Sequence, residues 1–136
     1  MDAVSKLRLS RSTNNLEKLI AFYCSGLGFE VLDRYEDLLG WDGVIVGHRG
    51  WPYQMEFSQK RETEEVPRAP SPNHFAVISI PDEQEWKKVL GNLFDAGFQQ
   101  VTKPKLYADE QSAAYEDPDG YRVVIRCGSW NGTWKK

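Results

Sequence analysis

Apolar positions recur with two different periods along this chain. Lys6 to Ser12 (KLRLSRS) alternates apolar and polar residues, which reads as a half-buried strand. Thr13-Asn14-Asn15 then supplies capping side chains. Leu16, Leu19, Ile20 and Tyr23 follow at helical spacing, and Gly26 or Gly28 ends the helix. Phe29 to Tyr35 returns to the strand period. Asp37 to Gly43 reads as a turn region holding Trp41. Val44-Ile45-Val46 is a short strand apolar on both faces, and Gly47 to Gly50 is a turn with His48. Trp51 to Ser58 (WPYQMEFS) is a fourth strand. The order is β-α-β-β-β.

The same order then recurs. Gln59 to Pro72 is a linker, charged at first and proline-rich at its end, where neither helix nor central strand persists. His74 to Ile80 reads as a strand with His74 at its mouth. Asp82 caps a helix to Ala96, striped by Trp86, Val89, Leu90 and Leu93. Gly97 ends it. Strands follow at Phe98–Val101, Gln111–Tyr115 and Tyr121–Cys127, the last two joined by the Asp117-Pro118-Asp119-Gly120 turn. Arg8 and His74 are 66 residues apart, Gly28 and Gly97 69, and Glu56 and Val124 68. A near-constant offset marks an internal duplication. The expected organisation is α+β: a module over 5–58, a linker over 59–72, a second module over 73–127, and a tail over 128–136 with Trp130 and Trp134. One helix covers one face of a four-stranded sheet, so the other two faces are free to enclose a cleft.

Composition narrows the partners. A formal net charge of -3 and a pI near 5.4 argue against nucleic acid or an anionic membrane. No apolar run approaches the roughly 20 residues of a membrane helix, and the first ten residues hold no signal-peptide core. Cys24 and Cys127 read as reduced packing residues of a cytoplasmic protein.

Several stretches together are similar to the vicinal oxygen chelate superfamily, the glyoxalase, bleomycin-resistance and extradiol dioxygenase group. They are Leu16–Phe29, Tyr53–Phe57, His74–Pro81, Ala96–Phe98 and Glu116–Ile125 (EDPDGYRVVI). The resemblance implies paired βαβββ modules forming a cleft, often in a homodimer. In metal-dependent members, four inward side chains hold a divalent ion, one from the first and one from the last strand of each module. Carried over, those positions are Arg8, Glu56, His74 and Val124. Glu56 and His74 match metal ligands. Arg8 has no lone pair to give, and Val124 has no donor atom. The expectation is therefore no metal and no other cofactor, with Glu56 and His74 as ligands only if a metal binds.

Strand alternation assigns the remaining cleft residues. Gln54 shares a face with Glu56. Ser10 and Ser12 share one with Arg8, Ala76 and Ile78 one with His74, and Arg122 and Arg126 one with Val124. Tyr53, Met55, Phe57, Phe75, Val77, Val123 and Ile125 take the helix side, together with an awkward Arg11. Arg8 is expected to pair with Glu56. Arg122 and Arg126 then carry excess positive charge unless Asp109, Glu110 or Glu116 reaches them, which favours an anionic ligand. Trp41, Trp51 and Tyr107 are candidate aromatic walls, and His48 reads as a surface residue. The leading reading is a metal-independent small-molecule-binding protein. The alternative is a glyoxalase-like lyase or isomerase in which Glu56 or His74 moves a proton; a plain interaction protein is the third class.

Overall fold

The computed structural model describes residues 5–62 and 65–128 and divides into two units that meet at Pro67 and Arg68. The first unit holds β1 (Leu7–Ser12), α1 (Leu16–Ile20), β2 (Glu30–Leu38), β3 (Trp41–Gly47) and β4 (Tyr53–Lys60). The second holds β5 (Phe75–Ile80), α2 (Glu83–Asp95), β6 (Gln100–Val101), β7 (Ser112–Glu116) and β8 (Arg122–Cys127). The sheet orders are β1-β4-β3-β2 and β5-β8-β7-β6. In each sheet the first strand pairs parallel to the last and the others pair antiparallel. This is the duplicated βαβββ pattern expected from the sequence.

Local chemistry sets the element ends. Asn15 Oδ1 accepts from Lys18 N at 3.1 Å, and Gln59 Oε1, from β4, accepts from Leu16 N at 2.9 Å. Two otherwise unpaired N–H groups of the first turn are thereby satisfied. α1 widens into a π-helical turn over Ala21–Gly26, with Leu27 N bonding Phe22 O at 3.0 Å. The chain leaves it through Gly28 at φ +84°, a conformation that favours glycine. Asp82 caps α2 by accepting from Gln84 N at 3.3 Å.

The core of the first unit is aromatic. Leu19, Phe22, Val44, Val46 and Phe57 are fully buried, and the Tyr23 ring lies 4.8 Å from Phe57. Such a ring pair is worth about 0.5–1.5 kcal/mol beyond its area. α1 and its π-turn therefore cover the Phe57 face of the sheet. In the second unit, Trp86 Nε1 of α2 donates to the Ile125 carbonyl at 3.0 Å, beside fully buried Leu93, Val123 and Ile125.

Four expectations change. Trp41–Gly43 belongs to β3 and not to a turn; the reversal tightens onto Leu39-Gly40, with Leu39 at φ +54° and Gly40 at φ +88°. β6 shrinks to two residues. The linker begins later, because β4 runs to Lys60, and it is tied down at Val66 and Ala69. Asn14 Nδ2 donates to Val66 O at 2.8 Å while Val66 N donates to Asn14 Oδ1 at 2.7 Å. Ala69 N donates to Asp119 O at 2.9 Å. The fourth change concerns the second sheet. β5 and β8 pair Phe75 with Arg122, Val77 with Val124 and Ser79 with Arg126. Phe75 and Val77 therefore share a face with Val124, and Ala76 and Ile78 share the opposite face with Val123 and Ile125. A one-residue slip exchanges the faces of a strand. Here the apolar run FAVISI reads equally well in either phase. Trp130 and Trp134 lie outside the described residues. Among the described residues, no helix is long and apolar enough to cross a membrane.

Candidate functional site

The first sheet has one face under α1 and one face left polar. Parallel pairing sets Arg8 beside Gln54, Ser10 beside Glu56 and Ser12 beside Ser58. Leu9 and Met55, then Arg11 and Phe57, fall on the helix face. The alternation of β1 and β4 is therefore as expected, with no bulge. Arg11 is accommodated with its guanidinium 5.1 Å from the Phe57 ring centre, a cation–π contact.

Glu56 does not pair with Arg8. Its Oε2 accepts from the Tyr35 hydroxyl at 2.8 Å. Arg8 instead donates through Nε and Nη2 to Gln54 Oε1, at 3.1 and 2.9 Å. Tyr35 sits on β2, and Glu56 is two strands away on β4. The ring crosses β3 at Gly43, its cross-strand partner. A Cβ on Gly43 would lie 2.0 Å from Tyr35 Cζ. Only glycine leaves that slot open. Partial burial, then the hydrogen bond to Glu56 and its negative charge, push the Tyr35 phenol up to about 12, and Arg8 opposes them. The pair is thus a neutral phenol donating to a carboxylate.

The other candidates separate. His74 is exposed and precedes β5, in a turn where its N–H bonds Ser71 O at 3.2 Å. Arg8 pairs with Gln54, the counterpart of Gln54 68 residues on is Arg122, and Arg122 pairs with Phe75, so Phe75 stands where Arg8 does. Arg122 is not an uncompensated charge, because its Nε lies 3.2 Å from Glu116 Oε2. Glu116 also receives Arg68 at 3.0 Å. Arg126 is buried. Trp41 and Trp51 do not form one wall. Trp41 pairs with Lys60 at one end of β4, and Trp51 stands before the other end. Tyr107 packs its ring edge-on to Phe75 at 5.7 Å. His48 is not a plain surface residue: its ring is 4.3 Å from Trp51, and its Nδ1 is 3.3 Å from Glu30 Oε1.

Tyr35 is the residue that sequence reasoning missed. The available signal was Gly43, a lone glycine inside an apolar strand, which marks a close approach. The donor set does not fit a metal. Across the four family positions, a guanidinium and an alkyl group replace two ligands, and the carboxylate of a third accepts a hydrogen bond from a phenol. Among the described residues, no three His, Cys, Asp or Glu side chains converge.

Comparison with known proteins matches residues 7–58 to the YycE-like N-terminal domain and residues 73–126 to the YycE-like C-terminal domain. The uncharacterized protein YycE of Bacillus subtilis (strain 168) is 30% identical over 121 residues, 89% of this chain and 86% of its own length. A crystal structure of a YycE protein of unknown function from Bacillus subtilis aligns with TM-score 0.82 at 29% identity, over 96% of this chain and 94% of that one. The trypanothione-dependent glyoxalase I of Leishmania major aligns with TM-score 0.70 at 16% identity, over 93% and 88%. The fosfomycin resistance protein FosX of Mesorhizobium loti aligns with TM-score 0.67 at 10% identity, over 96% and 94%. The last two likenesses show the fold alone.

Proposed function

Because this chain belongs to the YycE-like family of the vicinal oxygen chelate superfamily, we propose that it binds a small organic ligand on the open face of its first sheet, without a resident metal. The observation that carries this is the Tyr35–Glu56 hydrogen bond laid across Gly43. A ligating carboxylate must turn its lone pairs to an ion. Here Oε2 already accepts from a phenol, which leaves at most Oε1 for an ion, and Arg8 adds repelling positive charge on the same face. Arg8 presents N–H groups beyond those given to Gln54, which suit a carboxylate or phosphate oxygen. Cys24 and Cys127 are free thiols, in keeping with a reducing cytoplasm. The test is elemental analysis of the purified protein, with thermal-shift titration of Zn²⁺, Ni²⁺ and Mn²⁺. The expected result is no stoichiometric ion and no saturable stabilisation. About one ion per chain, lost in Glu56→Ala, would overturn the reading.

A lyase or isomerase reading has one observation in its favour. Tyr35 anchors Oε2 while Oε1 makes no hydrogen bond among the described residues, leaving it open to take a proton. Proton exchange at a carbon acid beside a carbonyl, abolished in Glu56→Gln with the fold intact, would put this reading first.

A further inference from the structure

Within the first unit a cavity of about 630 Å³ opens beside the β3–β4 turn, lined by Lys6, Leu32, His48, Arg49, Trp51 and Gln54 among others. Its size falls within the range of small-molecule sites, about 300–1,000 Å³. Its chemistry is one-sided. Lys6 and Arg49 bring two positive charges, and among the described residues no carboxylate lines the cavity and neither cation has an ion pair. The nearby acid Glu30 is engaged with His48 Nδ1 at 3.3 Å. Gln54 adds a donor. Its carbonyl oxygen takes two bonds from Arg8, so the amide NH₂ remains to be satisfied.

The aromatic part of the lining is Trp51 beside His48, and other rings hold Trp51 in place. Trp51 packs against His48 at 4.3 Å, Tyr53 at 4.9 Å and Phe29 at 5.5 Å. An indole wedged among three rings loses little side-chain freedom on binding. Trp51 is only half-buried, so part of its ring is open to a planar partner. A solvated cationic rim would need no such ring, and a purely apolar pocket would not gather Lys6, Arg49 and an amide. We propose that this cavity binds a small aromatic carboxylate, its ring on Trp51 and its carboxylate held by Lys6, Arg49 and Gln54. The guanidinium fork of Arg49 matches the two oxygens of such a group. The site uses neither Glu56 nor Tyr35. It rests on the binding reading above only in that a small molecule is the ligand.

Isothermal titration of the full chain with 2-naphthoate and with neutral 2-naphthamide tests it. Saturable binding of naphthoate is expected, with naphthamide weaker by about tenfold or more, the factor that corresponds to one charged hydrogen bond. Arg49→Ala and Lys6→Ala, both at exposed positions, should each weaken naphthoate by about tenfold with an unchanged melting temperature. Trp51→Phe should keep binding and Trp51→Leu should weaken it. If Trp51→Leu fails to fold, naphthoate-induced shifts of the Trp51 indole and Gln54 amide resonances in wild type replace that arm. Failure of both probes to bind, equal affinity for the two, or equal naphthoate affinity in wild type and Arg49→Ala overturns the proposal. A stoichiometric metal would overturn the earlier reading and leave this outcome standing.

Discussion

Tyr35 and Gly43 act as one unit, so each predicts how the other behaves when changed. Gly43→Ala would drive a methyl group into the Tyr35 ring. Overpacking of this kind costs about 1–3 kcal/mol. In Gly43→Ala/Tyr35→Ala the clash has no partner, and most of that cost should vanish. A double-mutant cycle in urea denaturation measures the coupling, and additive effects would show that the two do not meet. The phenol also makes a pH prediction. Its folded value lies at about 12 against the usual 10.0, so folding favours the protonated form. The stability it contributes is whole below about pH 10 and is lost as pH rises toward about 12. The difference in stability between wild type and Tyr35→Phe should therefore be flat to about pH 10 and shrink above it. A difference that does not change over that range would show that burial and Glu56 do not hold the phenol above its usual value.

Among the elements, the linker most changes the picture of two modules on a loose tether. Asn14 closes a reciprocal pair of hydrogen bonds with Val66, and its own carbonyl accepts from Gln59 Nε2 at 2.9 Å. Arg68 reaches the Pro118 carbonyl at 2.9 Å and Glu116 at 3.0 Å. Asn14→Ala removes both side-chain bonds and should cost about 1 kcal/mol, since exposed hydrogen bonds contribute modestly. It should also speed proteolytic cleavage between Gln59 and Pro70. Unchanged cleavage kinetics would show that other contacts hold the segment.

For the molecule as a whole, β1 is an edge strand carrying Leu7 and Leu9 at 57% and 56% exposure, beside half-exposed Tyr53 on the same face. An apolar edge of this kind calls for cover. The expected state is a homodimer that buries it, with a dimeric mass in light scattering at micromolar concentration and a shift toward monomer in Leu9→Lys. A monomeric wild type would leave that face for another occupant.

The βαβββ repeat, the helix caps and the polar face of the first sheet were all legible in the sequence. There the chain alternates strictly, so Arg8, Gln54 and Glu56 have one consistent phase. The second sheet was not legible in the same way. FAVISI is apolar in both phases, and only its pairing with β8 shows that Phe75 and Val77 accompany Val124. His74 lies outside the strand for a different reason: a proline-rich entry leaves the first paired residue undefined. Charge partners were decided later still. Glu116 is six residues from Arg122, close enough for the sequence to offer it as a partner. Tyr35 reaches Glu56 across 21 positions and an intervening strand. Alternation is a local property of a chain, and it tells which residues share a face. Which side chains on that face touch depends on strand order, register and the absence of a Cβ at Gly43, and those exist only once the sheet has formed.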